Sequence, residues 1–162
     1  MAVDSTLFRR VMGRFATGVT IATSALEGET HGMTANAVCS VSLEPLLVLV
    51  CIDKSSHTHP VVEGSGVFAL NVLAQDQEHL SRLFADDSSP ESHDLEGVPH
   101  RKGVSGAPII EGCLAYLDCR VVAAYPGGDH AAVEVGQASL DDRSAADPLA
   151  VWDALQVVAL GR

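Results

Sequence analysis

Two long stretches of strand-forming sequence, Cys113 to Tyr125 and His130 to Leu140, are separated only by Pro126-Gly127-Gly128-Asp129. Those four residues supply the dihedral angles and local hydrogen bonds of a tight reversal, so the two stretches pair antiparallel as one long hairpin. An isolated hairpin is at best marginally stable in water and needs further strands or a packed helix. The rest of the chain must therefore flank this hairpin.

Strands to do so are plentiful. Val19, Ile21 and Thr23 alternate with period two after Gly18, Glu27-Gly28-Glu29 reads as a turn, and a second strand stretch runs from His31 to Ser42. The block Leu46-Leu-Val-Leu-Val-Cys51 is apolar on both faces between Pro45 and Asp53, which predicts a central, fully buried strand. Another strand is expected over Val67 to Leu73. Helical spacing is sparse by comparison. Phe8, Val11, Met12 and Phe15 fall at i, i+3, i+4 and i+7 behind the capping residues Asp4 and Ser5. A short helix should end near Gly64, and one from Asp76 to Ala85 should bury Leu80, Leu83 and Phe84. Asp86 to Gly103, with Ser88-Ser-Pro90, His93-Asp94, Gly97 and Pro99, reads as a surface excursion. Six or so strands with few helices predict a mainly β fold, an antiparallel barrel with flanking helices, and not an alternating βαβ sheet.

Composition narrows the function. The 162 residues suit a single domain (1–162), and 47% hydrophobic against 19% charged residues argues for a packed core. Ten Lys plus Arg stand against 21 Asp plus Glu, for a formal net charge of -11, which disfavours a phosphate-backbone binder. No apolar run approaches the roughly 18 residues of a membrane span, and Asp4, Arg9, Arg10 and Arg14 occupy the place of a signal-peptide apolar block. Neither nucleic acid nor a membrane is expected as a partner, and the expected location is cytoplasmic. Cys39, Cys51, Cys113 and Cys119 lack Cys-x-x-Cys spacing and are expected as buried free thiols, not as a metal site.

Four segments hold residues suited to chemistry. Along Gly32 to Ser42, Thr34, Asn36, Ser40 and Ser42 would share one strand face; a flat polar heterocycle and plain solvent both suit such a face. Asp53-Lys-Ser-Ser-His-Thr58 follows the most apolar strand and precedes a helix, where hydroxyls and backbone amides hold anions, although a run of capping residues has the same composition. His57 and His59 supply only two ligands for a metal, and Pro60 with the following helix explains them locally. His130 follows Gly127-Gly128-Asp129 at the start of a strand, where a side chain can face a cavity or solvent. No Gly-x-Ser-x-Gly, His-Glu-x-x-His, Walker or Gly-x-Gly-x-x-Gly motif is present.

Taken in order, Phe15-Ala-Thr-Gly-Val-Thr-Ile-Ala-Thr23, His31-Gly-Met-Thr-Ala-Asn36, Ser40-Val-Ser-Leu-Glu-Pro45, Val48-Leu-Val-Cys-Ile-Asp-Lys-Ser-Ser56, Phe68-Ala-Leu-Asn-Val-Leu73, Leu80-Ser-Arg-Leu-Phe-Ala85 and Gly128-Asp-His130 resemble the flavin reductase family of FMN-binding split-barrel proteins. These are the reductase components of two-component flavin monooxygenases, and the resemblance runs from about Phe8 to Leu149. It implies an antiparallel split β-barrel and a homodimer with flavin sites near the subunit interface. The implied activity is NAD(P)H-dependent reduction of FMN or FAD, with the reduced flavin released to a separate monooxygenase.

By the same resemblance, Thr34, Ala35, Asn36, Ser40, Val41 and Ser42 line the flavin. Asp53, Lys54, Ser55 and Ser56 approach its ribityl phosphate, with His57 where the family often has Arg, and Arg82 and Phe84 flank the same group. His130 stands near the nicotinamide and the flavin ring. The family's cation-bearing stretch after a late Pro-Leu is replaced here by Pro148-Leu-Ala-Val-Trp-Asp-Ala-Leu-Gln-Val-Val158, so NADH is expected over NADPH, whose 2′-phosphate would lack partners. A flavin-binding module without reductase activity, or an oxidase that keeps its flavin, are the alternatives.

Overall fold

A computed structural model describes residues 4–86 and 93–142. In chain order these form helix α1 (Ser5–Met12), strands β1 (Thr20–Leu26), β2 (Glu29–Ala35), β3 (Val38–Leu43) and β4 (Leu46–Asp53), and helix α2 (Thr58–Ser65). There follow strand β5 (Val67–Val72), a 3₁₀ turn (Gln75–Gln77), helix α3 (Glu78–Leu83), and strands β6 (His100–Lys102), β7 (Pro108–Ile110), β8 (Ala115–Gly127) and β9 (His130–Asp142). The expected tail Pro148 to Val158, any helix within it, and Ser88 to Pro90 lie outside the described residues.

The long hairpin is the spine. β8 and β9 pair antiparallel from Ala115↔Asp142 to Gly127↔His130, leaving Gly128 and Asp129 as the turn, with Gly128 at φ 74°. Only a residue tolerant of the left-handed region serves there. Around this spine the main sheet has seven strands in the order β2-β1-β5-β8-β9-β4-β3, every pairing antiparallel.

One property of that order decides the architecture. β2 and β3 are the opposite edges of the sheet, yet only Asn36 and Ala37 separate them in sequence. The three Cα–Cα steps from Ala35 to Val38 span less than about 11 Å when extended, so the sheet must curl until its edges nearly meet; the Cys51 N–H, donating to the Ala37 carbonyl at 3.0 Å, carries the β3–β4 ladder on to the start of that short link. The interior confirms the curl: Ala22, Ala35, Val50, Ile52, Phe68, Leu70, Cys119, Val133 and Val135 from six strands form one buried cluster, with Val62 of α2 among them.

Outside the barrel, α3 and residues 93–98 cover β1, burying Val19, Ile21, Leu80, Phe84, Leu95 and Val98 together. A second group, Val67, Ala69, Ala107 and Ile109, places the β6–β7 hairpin against β5. The strand buried on both faces is therefore not Leu46–Cys51, as its composition suggests, but β1 and β5. In β4 only Val50 and Ile52 are fully buried. Its inward residues alternate with outward ones that remain half-buried, whereas α3 and the β6–β7 hairpin cover β1 and β5.

Three other expectations need adjustment. Leu83 is 42% exposed because α3 turns Leu80 and Ser81 inward, with Phe84 buried just past its end. Cys113 and Cys119 are buried, but Cys39 lies exposed on edge strand β3 and Cys51 is half-buried on the outer face of β4. Of the polar excursion, His93, Leu95 and Val98 are buried, since β1 needs an apolar lid on its outer side.

Candidate functional site

The seam between β2 and β3 organises the site. Thr34 to Ser42 is not one alternating strand, because the chain passes from the β1-paired edge to the β4-paired edge at Asn36-Ala37. Thr34, Asn36, Ser40 and Ser42 accordingly do not share a face. Asn36 stands exposed between the two ladders, Ala35 is buried beside it, and Thr34 is half-buried with its hydroxyl donating to the Ser81 carbonyl at 2.7 Å. On β3, a bulge falls between Ser40 and Ser42 and turns Val41 outward, 52% exposed. Ser42 accepts the Glu44 N–H at 3.2 Å. Ser40 pairs with Val48, five residues along β4 from Asp53.

Beside the seam lies the loop from β4 into α2. Asp53 caps it, accepting the Ser55 N–H at 2.8 Å and the Ser55 hydroxyl at 2.7 Å. Those two bonds hold the Asp53 carboxyl below its ordinary range. Ser56 donates to the Asp53 carbonyl at 2.8 Å and accepts the His59 N–H at 3.2 Å. The helix that follows starts at N-cap His57, which makes no side-chain capping bond. Ser56 Oγ supplies the side-chain acceptor instead, taking one of the otherwise unpaired N–H groups at the helix's positive end.

Two contacts tie this segment to β2, and His93 joins it there. Ser56 Oγ lies 3.9 Å from Met33 Sδ. The buried Thr58 hydroxyl donates to the Gly32 carbonyl at 3.2 Å, and His93 Nδ1 donates to the same oxygen at 3.1 Å. The His57 and His93 rings lie 5.4 Å apart. Gly32 itself is required by the end of α3: a Cβ there would stand 2.9 Å from the Phe84 ring. The Thr34 N–H donates to the Phe84 carbonyl at 3.0 Å. The Phe84 ring is thus buried packing, while exposed Arg82 is paired with Glu78 one turn earlier on α3.

The β8–β9 turn closes the remaining side. Asp53 pairs in register with His130, and His130 Nδ1 donates to the Asp129 carboxylate at 2.8 Å. That bond holds the Asp129 carboxyl below its usual value. The structure thus gathers Thr34 to Asn36, Asp53 to His57, the end of α3 and His130 around the seam, and sets Ser40 to Ser42 further along β3. His93, Met33 and Ser81 escaped the sequence reading, which took Thr58 only as the end of the Asp53–Thr58 segment. Gly32 was the available signal, since a glycine inside a strand marks a close approach.

This donor set suits a phosphate-bearing, planar ligand. Ser55 and Ser56, whose hydroxyls here donate to Asp53, flank a helix start of the kind that attracts anions, and Asn36 offers an exposed side-chain amide at the seam. Among the described residues, no group of three or more His, Cys, Asp or Glu could hold a metal ion, and no helix is long and apolar enough to cross a membrane.

Comparison with known proteins gives the same direction. The family profile described as Flavin reductase like domain matches residues 12–156. The reductase subunit HsaB of a flavin-dependent monooxygenase from Mycobacterium tuberculosis is 38% identical over 146 residues, 90% of this chain and 76% of that protein. An NADH-dependent FAD reductase from Streptomyces globisporus is 44% identical over 129 residues, 78% of this chain and 70% of its own. The structure of the flavin reductase PheA2 superposes with a TM-score of 0.84 at 38% identity, covering 94% of this chain and 95% of that one. The antiparallel split barrel expected from the sequence is the architecture this likeness carries.

Proposed function

Since the chain belongs to the flavin reductase like domain family, we propose that it takes a hydride from NADH, passes it to FAD or FMN, and releases the reduced flavin to a separate monooxygenase. Relatives named NADH-dependent FAD or flavin reductases and reductase components of monooxygenases support the reading. The observation that supports it is the meeting of the loop Asp53 to His57 with the His130 turn, which brings serine hydroxyls and an imidazole to one end of the β4–β9 ladder.

The flavin, when bound, supplies the redox chemistry, accepting the hydride on its ring. What the protein contributes is orientation and electrostatics. Ser55 and Ser56, with the start of α2, hold the phosphate. Thr34, Ala35 and Asn36 present backbone and an amide to the polar ring edge, and Ser40, Val41 and Ser42 extend that wall. Arg82 reaches the phosphate side if it exchanges Glu78 for the ligand, and Phe84 supports the wall from behind by packing on Gly32. His130 stands where it orients the nicotinamide and adds positive character near the ring. No side-chain acid or base is required.

The reading includes one domain over 1–162, cytoplasmic location and a homodimer. Support for a second copy comes from apolar residues left uncovered: Val41, Leu43 and Leu46 are 52%, 84% and 48% exposed beside the half-buried outer face of β4, and α1 exposes Phe8 and Val11. Patches of this kind mark interfaces. The decisive experiment is an activity matrix of NADH and NADPH against FMN and FAD. NADH oxidation dependent on added flavin is the expected result, with NADPH the poorer donor. Absence of oxidation with either flavin would overturn the assignment.

A further inference from the structure

Lys54 is the cation of the loop that faces the proposed phosphate, yet its bonds run the other way. Its N–H donates to the Asp129 carbonyl at 3.0 Å, and its ammonium donates to the Gly128 carbonyl at 2.6 Å. Main chain and side chain of one residue thus both grip the two-residue turn between β8 and β9. Among the described residues the ammonium makes no ion pair with a carboxylate within 4.0 Å, although it lies close enough to Asp129 to help hold that carboxyl ionised. The ladder partner of Asp53 is His130, so the grip lies directly beyond the last β4–β9 pair, where a hairpin tip would otherwise fray.

We propose that Lys54 is a positioning residue which clamps the Gly128-Asp129 turn and thereby fixes where His130 stands. The proposal rests on the flavin reductase reading for its kinetic consequence, but the clamp itself does not. A turn with Gly127 and Gly128 in succession has little intrinsic stiffness. His130, 41% exposed on its side chain, gains its direction from the Asp129 carboxylate, which sits on the same turn. Holding two turn carbonyls therefore holds the imidazole's own hydrogen-bond partner. The chain from Lys54 through Gly128 and Asp129 to His130 makes the phosphate loop and the nicotinamide side of the site one rigid unit. Misplacing a reacting or orienting group by about 1 Å can lower a rate as much as 100-fold.

The test compares Lys54→Met with Lys54→Arg, whose guanidinium can still donate to the Gly128 carbonyl. Expected for Lys54→Met is a fall of roughly 3- to 10-fold in kcat/KM for NADH at saturating flavin, with flavin Kd changed less than twofold. Lys54→Arg should recover most of the loss. In a His130→Ala background, Lys54→Met should cost nothing further, since the residue it positions is gone. The ligand-free readout is the NMR signal of the His130 ring, which should shift and broaden in Lys54→Met but not in Lys54→Arg. A flavin Kd raised severalfold with NADH kinetics intact at saturation would make Lys54 a phosphate ligand and overturn the clamp. So would an unaltered His130 ring signal. If the wild-type protein oxidises no NADH, the reductase reading falls while the ring signal still decides the clamp.

Discussion

Gly32 allows a quantitative test of how α3 is seated against the site. It lies within β2 on ordinary strand backbone, so substitution there meets a purely steric penalty. An added Cβ would stand 2.9 Å from Phe84 Cε1, 3.0 Å from Cδ1 and 3.3 Å from Ile21 Cγ2. Phe84 is 1% exposed and Ile21 fully buried, so neither can swing into solvent and the strand or the helix must move. Overpacking of this kind costs about 1–3 kcal/mol, which for a domain of this size lowers Tm by roughly 2–12 °C. Phe84→Leu opens space at the same point and alone costs about 0.5–3 kcal/mol through lost packing. If the ring is what forbids a side chain at position 32, Gly32→Ala combined with Phe84→Leu must be less destabilised than the sum of the single changes, by at least about 0.5 kcal/mol. Thermal and denaturant unfolding of the four proteins measures the cycle. Strict additivity, or a Gly32→Ala protein as stable as wild type, would refute the seating. Because the Gly32 carbonyl also receives the Thr58 and His93 bonds, weaker flavin binding should accompany the stability loss.

His130→Ala should lower kcat/KM for NADH by about 10- to 100-fold, or about 1.4–2.8 kcal/mol, with a much smaller change in flavin Kd; wild-type kinetics would remove the residue from the site. Asp53 has a folded-state pKa depressed chiefly by the Ser55 hydroxyl bond. Its contribution to stability is therefore present above about pH 4 and disappears as the pH falls through the depressed value. The stability gap between wild type and Asp53→Asn should accordingly narrow on acidification below pH 4, and a gap constant to pH 2 would contradict this. Burial pushes the Cys119 thiol up to about 12, so iodoacetamide at pH 8 should label exposed Cys39 in the native protein and reach Cys119 only after unfolding; mass spectrometry of the labelled peptides decides. Leu43, 84% exposed at the edge strand, should be an interface residue, so Leu43→Lys should convert a dimer to monomer in light scattering; unchanged mass would move the interface elsewhere.

What the sequence disclosed and what it withheld differ by range of interaction. The β8–β9 hairpin was legible because Pro126 to Asp129 specify their reversal locally, and α1 because Asp4 accepts the Thr6 N–H at 3.1 Å within its own turn. The burial of β4 was misread because an apolar run reports hydrophobicity, whereas coverage depends on which elements pack outside it. The break at Asn36-Ala37 carries neither Gly nor Pro; it exists because β2 has its partner in β1 and β3 has its partner in β4, a choice no short window contains. The site inherits that non-locality. Resemblance supplied Asp53, Ser55, Ser56 and His130 as separate contacts, but their adjacency comes from the β4–β9 register, and His93 enters only because β1 needs a lid. Closing the barrel and assembling the site are consequently one event: the curl that brings β4 round to β2 also sets Ser56 and Thr58 against Met33 and Gly32. Loss of closure should therefore abolish flavin binding without requiring any change in the residues that touch the ligand.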